Sequence, residues 1–159
     1  MSNKKYDLQS IGTIQRPESG IMLQIAEPFR PGLKQLEHFS HVIVLWWADQ
    51  EDNDEGRSVV QVRPPYAEDH LTGIFATRSP QRPNPIGMTT CEISRVDEEN
   101  GIVHIVNIDA FENTPIIDLK GYFPVCDRVK DAHIPDWLDW GIEWLPDEGM
   151  GFFEEYEEA

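Results

Sequence analysis

Short β-forming runs recur along this chain at brief intervals, each bounded by glycine, proline, asparagine or acidic residues. Leu8–Ile14, Gly20–Ile25, Ser40–Trp47, Val59–Val62, Ile86–Val96 and Ile102–Ala110 all read as strands. β-Branched and aromatic residues suit a pleated, half-buried surface, and an apolar run the length of Ser40–Trp47 fits a buried strand better than a helix. Asn100-Gly101, between the last two runs, is a strong hairpin signal because both residues tolerate left-handed backbone. No helix-length segment joins two runs as a parallel crossover would require, so a doubly wound sheet with a glycine-rich dinucleotide loop is not expected. The pattern predicts a mainly β protein, an antiparallel barrel or sandwich, with a short helical turn over Pro28–Glu37.

One stretch departs from the plain strand–turn rhythm. Gly73–Gly87 reads Gly-Ile-Phe-Ala-Thr-Arg-Ser-Pro-Gln-Arg-Pro-Asn-Pro-Ile-Gly. Ile74 and Phe75 open it as a strand, and a second strand begins near Ile86. Between them Pro80, Pro83 and Pro85 each fix their own φ and push Ser79, Arg82 and Asn84 toward extended geometry. A loop so restricted has little freedom left to lose on binding. It carries two guanidinium groups, Arg78 and Arg82, whose planar forks match carboxylate or phosphate.

Charge separates this region from the rest. The chain of 159 residues has a formal net charge of −16, which opposes non-specific association with nucleic acid. Residues 57–95 nevertheless hold Arg57, Arg63, Arg78, Arg82 and Arg95 against Glu68, Asp69 and Glu92, a net of +2 that leaves −18 elsewhere. An anionic ligand belongs on that central segment. The acidic stretch Asp49–Gly56 lacks the spacing of a calcium loop and reads as solvated surface. Cys91 and Cys126 form no metal-type cluster with the histidines and read as small core residues. With no membrane-length apolar run and no leader behind Met1, the expected compartment is the reducing cytoplasm.

The Gly73–Gly87 loop resembles the signature of the TsaA-like family, whose better-studied members are TrmO-type tRNA methyltransferases using S-adenosylmethionine. Three further blocks carry the same resemblance in the same order: Leu36–Leu45, Arg63-Pro64-Pro65, and Thr114–Lys120 followed by Tyr122, Pro124 and Asp127. The likeness spans Tyr6–Arg128. It implies a compact antiparallel β-barrel domain over residues 1–128, S-adenosyl-L-methionine as cofactor, tRNA as a partner, and a homodimer. It places Asp49, Gln50, Arg78, Thr90, Glu112, Asn113, Thr114 and Pro115 against the cofactor, and Arg82 and Asn84 against the substrate. If the acceptor is the amine of a modified adenosine, a carboxylate could take the released proton; Asp109 and Asp118 are the candidates near the cofactor turn. The alternative is a cofactor-binding module, or a methyltransferase for a substrate other than nucleic acid.

Four departures from the family pattern stand out. Only Gln15–Ser19 occupies the place of a longer basic arm, Asp49-Gln50 replaces His-Gln, Asn113 replaces glycine, and the family's further C-terminal domain is missing. In its place, residues 129–159 predict a helix over Pro135–Leu145 and an acidic end, packing on the same domain. Trp137, Trp140 and Trp144 would share one helical face as an anchor.

Overall fold

The computed structural model describes residues 3–140 and 143–152. Six strands close into a barrel: β1 (Gly12–Gln15), β2 (Ile21–Ile25), β3 (His41–Trp47), β6 (Ile86–Asp97), β7 (Ile102–Ile105) and β8 (Pro115–Gly121). Their order around the barrel is β1-β2-β7-β6-β3-β8, and every neighbouring pair is antiparallel. A two-stranded ribbon, β4 (Gln61–Val62) with β5 (Thr72–Gly73), stands beside it. Among the described residues helix is confined to 3-10 turns and two single-turn helices, α1 (Asp54–Arg57) and α2 (Pro124–Asp127). Among the described residues no helix is long and apolar enough to cross a membrane.

Alternation along the strands fills the interior. Val42 and Val44 of β3 are fully buried, as are Leu23 of β2, Cys91 of β6, Val103 of β7 and Ile116 of β8. A small barrel has no lumen to spare, and side chains from all walls occupy it. Trp46 continues the inward face of β3 and packs against this core at one mouth of the barrel. Two close approaches depend on missing side chains. A Cβ on Gly12 would lie 2.1 Å from the Gln24 carbonyl oxygen, and one on Gly87 would lie 2.2 Å from Trp46 Cε2.

Strand limits differ from expectation for local reasons. The first strand is only Gly12–Gln15, and Leu8 is exposed. The run over Ile102–Ala110 is a strand only as far as Ile105; one more backbone bond, Val106 N–H to the Glu92 carbonyl at 3.0 Å, follows, and then Asn107 accepts from the Ile108 N–H at 3.0 Å. Ile74 and Phe75 belong to a 3-10 turn, Ile74–Ala76, which follows β5. The Pro28–Glu37 turn is realised as two 3-10 turns, Glu27–Leu33 and Leu36–His38. The hairpin at Asn100-Gly101 forms as expected, with Gly101 at φ 71°. Cys91 is a core residue, whereas Cys126 is exposed.

The C-terminal helix is the main correction. Over the described part of Pro135–Leu145 the chain makes a turn, with the Leu138 N–H bonded to the Pro135 carbonyl at 3.0 Å, and no helix. An isolated helix of that length is marginal in water. Here each tryptophan finds a partner instead. Trp137 stacks on His70 with centroids 4.2 Å apart, Trp140 meets Tyr66 edge-on at 5.1 Å, and Trp144 lies under Arg128 at 4.7 Å. The expected acidic end from residue 153 onward lies outside the described residues.

Candidate functional site

Three loops meet at the barrel mouth where Trp47 pairs with Ile86 and Trp46 with Ile116. They are the segment after β3, the proline loop before β6, and the β7–β8 connection. The proline loop is held by more than its pyrrolidine rings. Arg82 turns inward and donates to the carbonyls of Thr77 (3.2 Å), Ser79 (3.0 Å) and Ile74 (3.3 Å). The Thr77 hydroxyl donates to the Ile74 carbonyl at 2.8 Å and accepts from the Ser79 N–H at 3.2 Å. Arg82 is thus the loop's internal brace, and Arg78 is exposed with no hydrogen-bond or ion-pair partner among the described residues.

The segment after β3 is fastened to this loop. The Ala48 N–H donates to the Pro85 carbonyl at 2.8 Å, Gln81 Nε2 to Glu51 at 3.2 Å, and Arg57 Nη2 to Asn84 Oδ1 at 3.3 Å. Asp52 anchors the other side, accepting from Trp47 Nε1 at 3.1 Å and Arg57 Nη1 at 3.0 Å. These bonds hold the Asp52 carboxyl below its usual range. What reads as a plain acidic loop is a 3-10 turn, Asp49–Glu51, leading into α1, with Asn53 accepting from the Gly56 N–H as its cap. Asp49 and Gln50 stand exposed on that turn.

Asp109, on the β7–β8 connection, lies at the centre. Trp46 Nε1 donates to Thr89 Oγ1 at 3.1 Å. With that lone pair engaged, the Thr89 hydroxyl donates onward to Asp109 Oδ1. Thr89 is buried and Asp109 half-buried. Burial pushes the Asp109 carboxyl above the ordinary aspartate range, opposed by the Thr89 bond and by the positive charge of Arg78. Cys91 lies beneath, its thiol pushed up to about 12 by burial and by the nearby Asp109.

The rest of the β7–β8 connection is shaped by its own turn and by one arginine. Asn113 takes the left-handed conformation, which asparagine tolerates better than most residues, at φ 67°. Its N–H donates to the Ile14 carbonyl at 2.7 Å and its Oδ1 accepts from Gln15 Nε2 at 3.1 Å. Thr114 is buried, and its carbonyl accepts from the Ile14 N–H at 3.0 Å. Arg16 donates to the carbonyls of Ile108 and Ala110, both at 3.0 Å, and so grips the backbone on either side of Asp109. Partial burial lowers the pKa of this guanidinium, offset by the charge of exposed Glu112.

The structure brings Arg78 within electrostatic reach of Asp109, on the connection that also carries Asn113 and Thr114, and adds Trp46, Thr89 and Arg16, which the sequence alone does not single out. Strand alternation held the signal for Thr89, since it shares the inward face of β6 with Cys91. Thr90 consequently faces the opposite way. Asp118 is also apart: it pairs with Lys120 at 3.0 Å along β8 and accepts from the Leu119 N–H at 2.9 Å. Arg82 spends its fork on the loop backbone, and Asn84 holds Arg57.

A closed six-stranded antiparallel barrel whose mouth carries a braced arginine loop and a half-buried carboxylate defines a class of small-ligand-binding barrel. The family model of the tRNA-methyltransferase O N-terminal domain matches residues 9–128, and the chain belongs to that family. Among its relatives, a probable S-adenosyl-L-methionine-binding protein of Methanocaldococcus jannaschii is 40% identical over 126 residues, 79% of this chain and 98% of that protein. The human tRNA (adenine(37)-N6)-methyltransferase is 36% identical over 103 residues, 65% of this chain but 22% of the enzyme. The crystal structure of TrmO superposes with a TM-score of 0.64 at 26% identity, covering 84% of this chain and 62% of TrmO. This chain therefore spans nearly the whole of the archaeal relative, about three fifths of TrmO and a minor part of the human enzyme.

Proposed function

We propose that this protein binds S-adenosyl-L-methionine at the barrel mouth and transfers its methyl group to an adenosine in tRNA. The single observation that carries the reading is Asp109, a half-buried carboxylate with raised proton affinity, fixed by Thr89 and placed under the charge of Arg78. The relatives' names and the family supply the cofactor. The residues present fit it: Arg78 offers to a carboxylate a cation with no partner among the described residues, and buried Thr114 lies on the same connection as Asp109. When bound, the cofactor supplies a methyl group activated by a sulfonium.

Each residue then has a definable task. The Arg82 brace and the three prolines keep Arg78 in place, so little order must be created on binding. Asp109, more basic than an ordinary aspartate because it is half-buried, accepts in its carboxylate form the proton that the adenosine amine releases as it gains the methyl group. The Trp46–Thr89 chain orients the Asp109 oxygen. Arg16 keeps the surrounding backbone from shifting, since misplacement of reacting groups lowers rate steeply. Asp118, turned toward Lys120, takes no part.

Calorimetry with S-adenosyl-L-methionine tests the first half of this reading; absence of heat at millimolar cofactor would refute it. Methyl transfer to tRNA from cells lacking the modification tests the second. The net charge of −16 favours a competing reading, a binding module or an enzyme for a non-nucleic substrate. Cofactor binding without transfer to tRNA would select it. The working form on our reading is a cytoplasmic homodimer of this single domain. The unpaired edge of β6 supports this: Ile86–Cys91 pairs with β3 alone, and Ile86 and Met88 are exposed there. A sedimentation mass of one 18.3 kDa chain would contradict the dimer.

A further inference from the structure

The segment after Arg128 lies outside the matched family domain, yet it is tied to the barrel on both sides of the mouth. On one side, Trp137 lies flat on His70, with ring planes 7° apart and centroids at 4.2 Å, and Trp140 meets Tyr66. His70 and Tyr66 belong to the loop that leads through β5 into the proline loop and Arg78. On the other side, Phe152 stacks on Phe111 at 4.7 Å and lies under the Arg16 guanidinium at 5.0 Å. Phe111 is two residues from Asp109, and Arg16 is the side chain that grips the Asp109 backbone.

The composition of this segment is as one-sided as its contacts. Residues 129–159 hold ten acids against one lysine, so nine of the sixteen net negative charges lie in the last 31 residues. That chain is fastened to residues 57–95, a region with a positive balance. Flat aromatic stacking, cation–aromatic contact and negative charge along a flexible backbone are the three things single-stranded nucleic acid offers to a protein surface. The partners used here, His70, Tyr66, Arg16 and Phe111, are those an unpaired RNA loop would use.

We infer that the C-terminal segment is a strap that occupies the RNA-docking face of the barrel, so that strap and RNA compete for His70 and Tyr66. The inference rests on the tRNA reading above and adds both the docking surface and its intramolecular competitor. Stacking holds the strap in place, and its half-exposed tryptophans leave it displaceable. The acids raise the barrier to any polyanion that does not also displace them.

The test uses the full chain and a synthetic RNA stem-loop with an adenosine-containing loop, at about 50 mM salt, where electrostatic binding is strong. The double variant Trp137→Ala/Trp140→Ala should bind the RNA about tenfold more tightly than the native chain, the size two aromatic contacts can supply. The double variant Tyr66→Ala/His70→Ala also frees the strap but removes the docking face, and should show no such gain. Calorimetry with S-adenosyl-L-methionine confirms that each variant is folded, since neither pair touches the cofactor residues. Unchanged or weaker RNA binding by the tryptophan variant, with cofactor binding intact, overturns the strap. Equal gain in both variants overturns His70 and Tyr66 as the docking face. Loss of cofactor binding by the native chain would instead refute the proposed function and is read separately.

Discussion

At the scale of single residues, the environment of Asp109 fixes the sign of its response to pH. Burial raises its proton affinity in the folded state above that in the unfolded chain. Its ionisation therefore works against folding: the favourable contribution is complete at low pH and is lost as pH rises through the raised folded value. Asp109→Asn should gain stability relative to the native protein as pH rises above the ordinary aspartate value of about 4, which thermal unfolding at several pH values checks. The same variant should lower methyl transfer at least about 100-fold, the usual scale for a general base, while calorimetry shows the cofactor still bound. In the native enzyme the acid limb of the rate profile should lie above the ordinary aspartate range. Beneath it, Cys91, pushed up to about 12 and buried, should resist alkylation, while exposed Cys126 reacts. Mass spectrometry of the native protein after treatment should find label at Cys126 alone.

At the scale of elements, the proline loop separates two arginines that look equivalent in the sequence. Arg82 holds three carbonyls of its own loop, and Arg78 holds none among the described residues. Arg82→Ala should destabilise the protein by about 1–3 kcal/mol through carbonyls left underpaired and loosen the loop to proteolysis. Arg82→Lys should recover little, because an ammonium cannot span the fork's partners. Arg78→Ala should change stability by less than about 0.5 kcal/mol and act on cofactor affinity instead. Urea unfolding and calorimetry on the same three variants separate the roles. Strand β6 makes a further demand at its first turn into the barrel. Gly87→Ala would place a methyl group within 2.2 Å of the Trp46 ring, displacing the ring from Thr89. A loss of about 1–3 kcal/mol is expected, as for overpacked cores, together with weaker activity from a misdirected Asp109.

For the whole molecule, charge is distributed rather than merely abundant. The barrel through residue 128 carries seven net negative charges and the remainder nine. On the proposed function, methylation of tRNA depends on a local positive face, so it should fall steeply between about 50 and 200 mM salt, whereas cofactor binding should not. Parallel salt titrations of the two quantities check this. The strap adds a second consequence, that RNA should gain most from any change that loosens the tail.

Much of this architecture was legible beforehand, and the exceptions share a cause. Strand alternation, the Asn100-Gly101 turn, the three prolines and the left-handed Asn113 are local properties of backbone and neighbouring side chains, so they survive translation into three dimensions. Tertiary structure alone decided which arginine is free, because Arg82's partners are carbonyls that no residue code reveals. It also separates the surroundings of the two candidate aspartates: Asp109 meets Thr89, twenty positions away, while Asp118 stays with Lys120. The tail shows the same division most plainly. Its tryptophan spacing satisfies a helix, but helix formation is a weak local preference, and stacking on His70 and Tyr66 lies in contacts made across the fold. What a chain encodes within a few residues can be read from its order; what depends on desolvation and on partners brought from afar exists only once the barrel has closed.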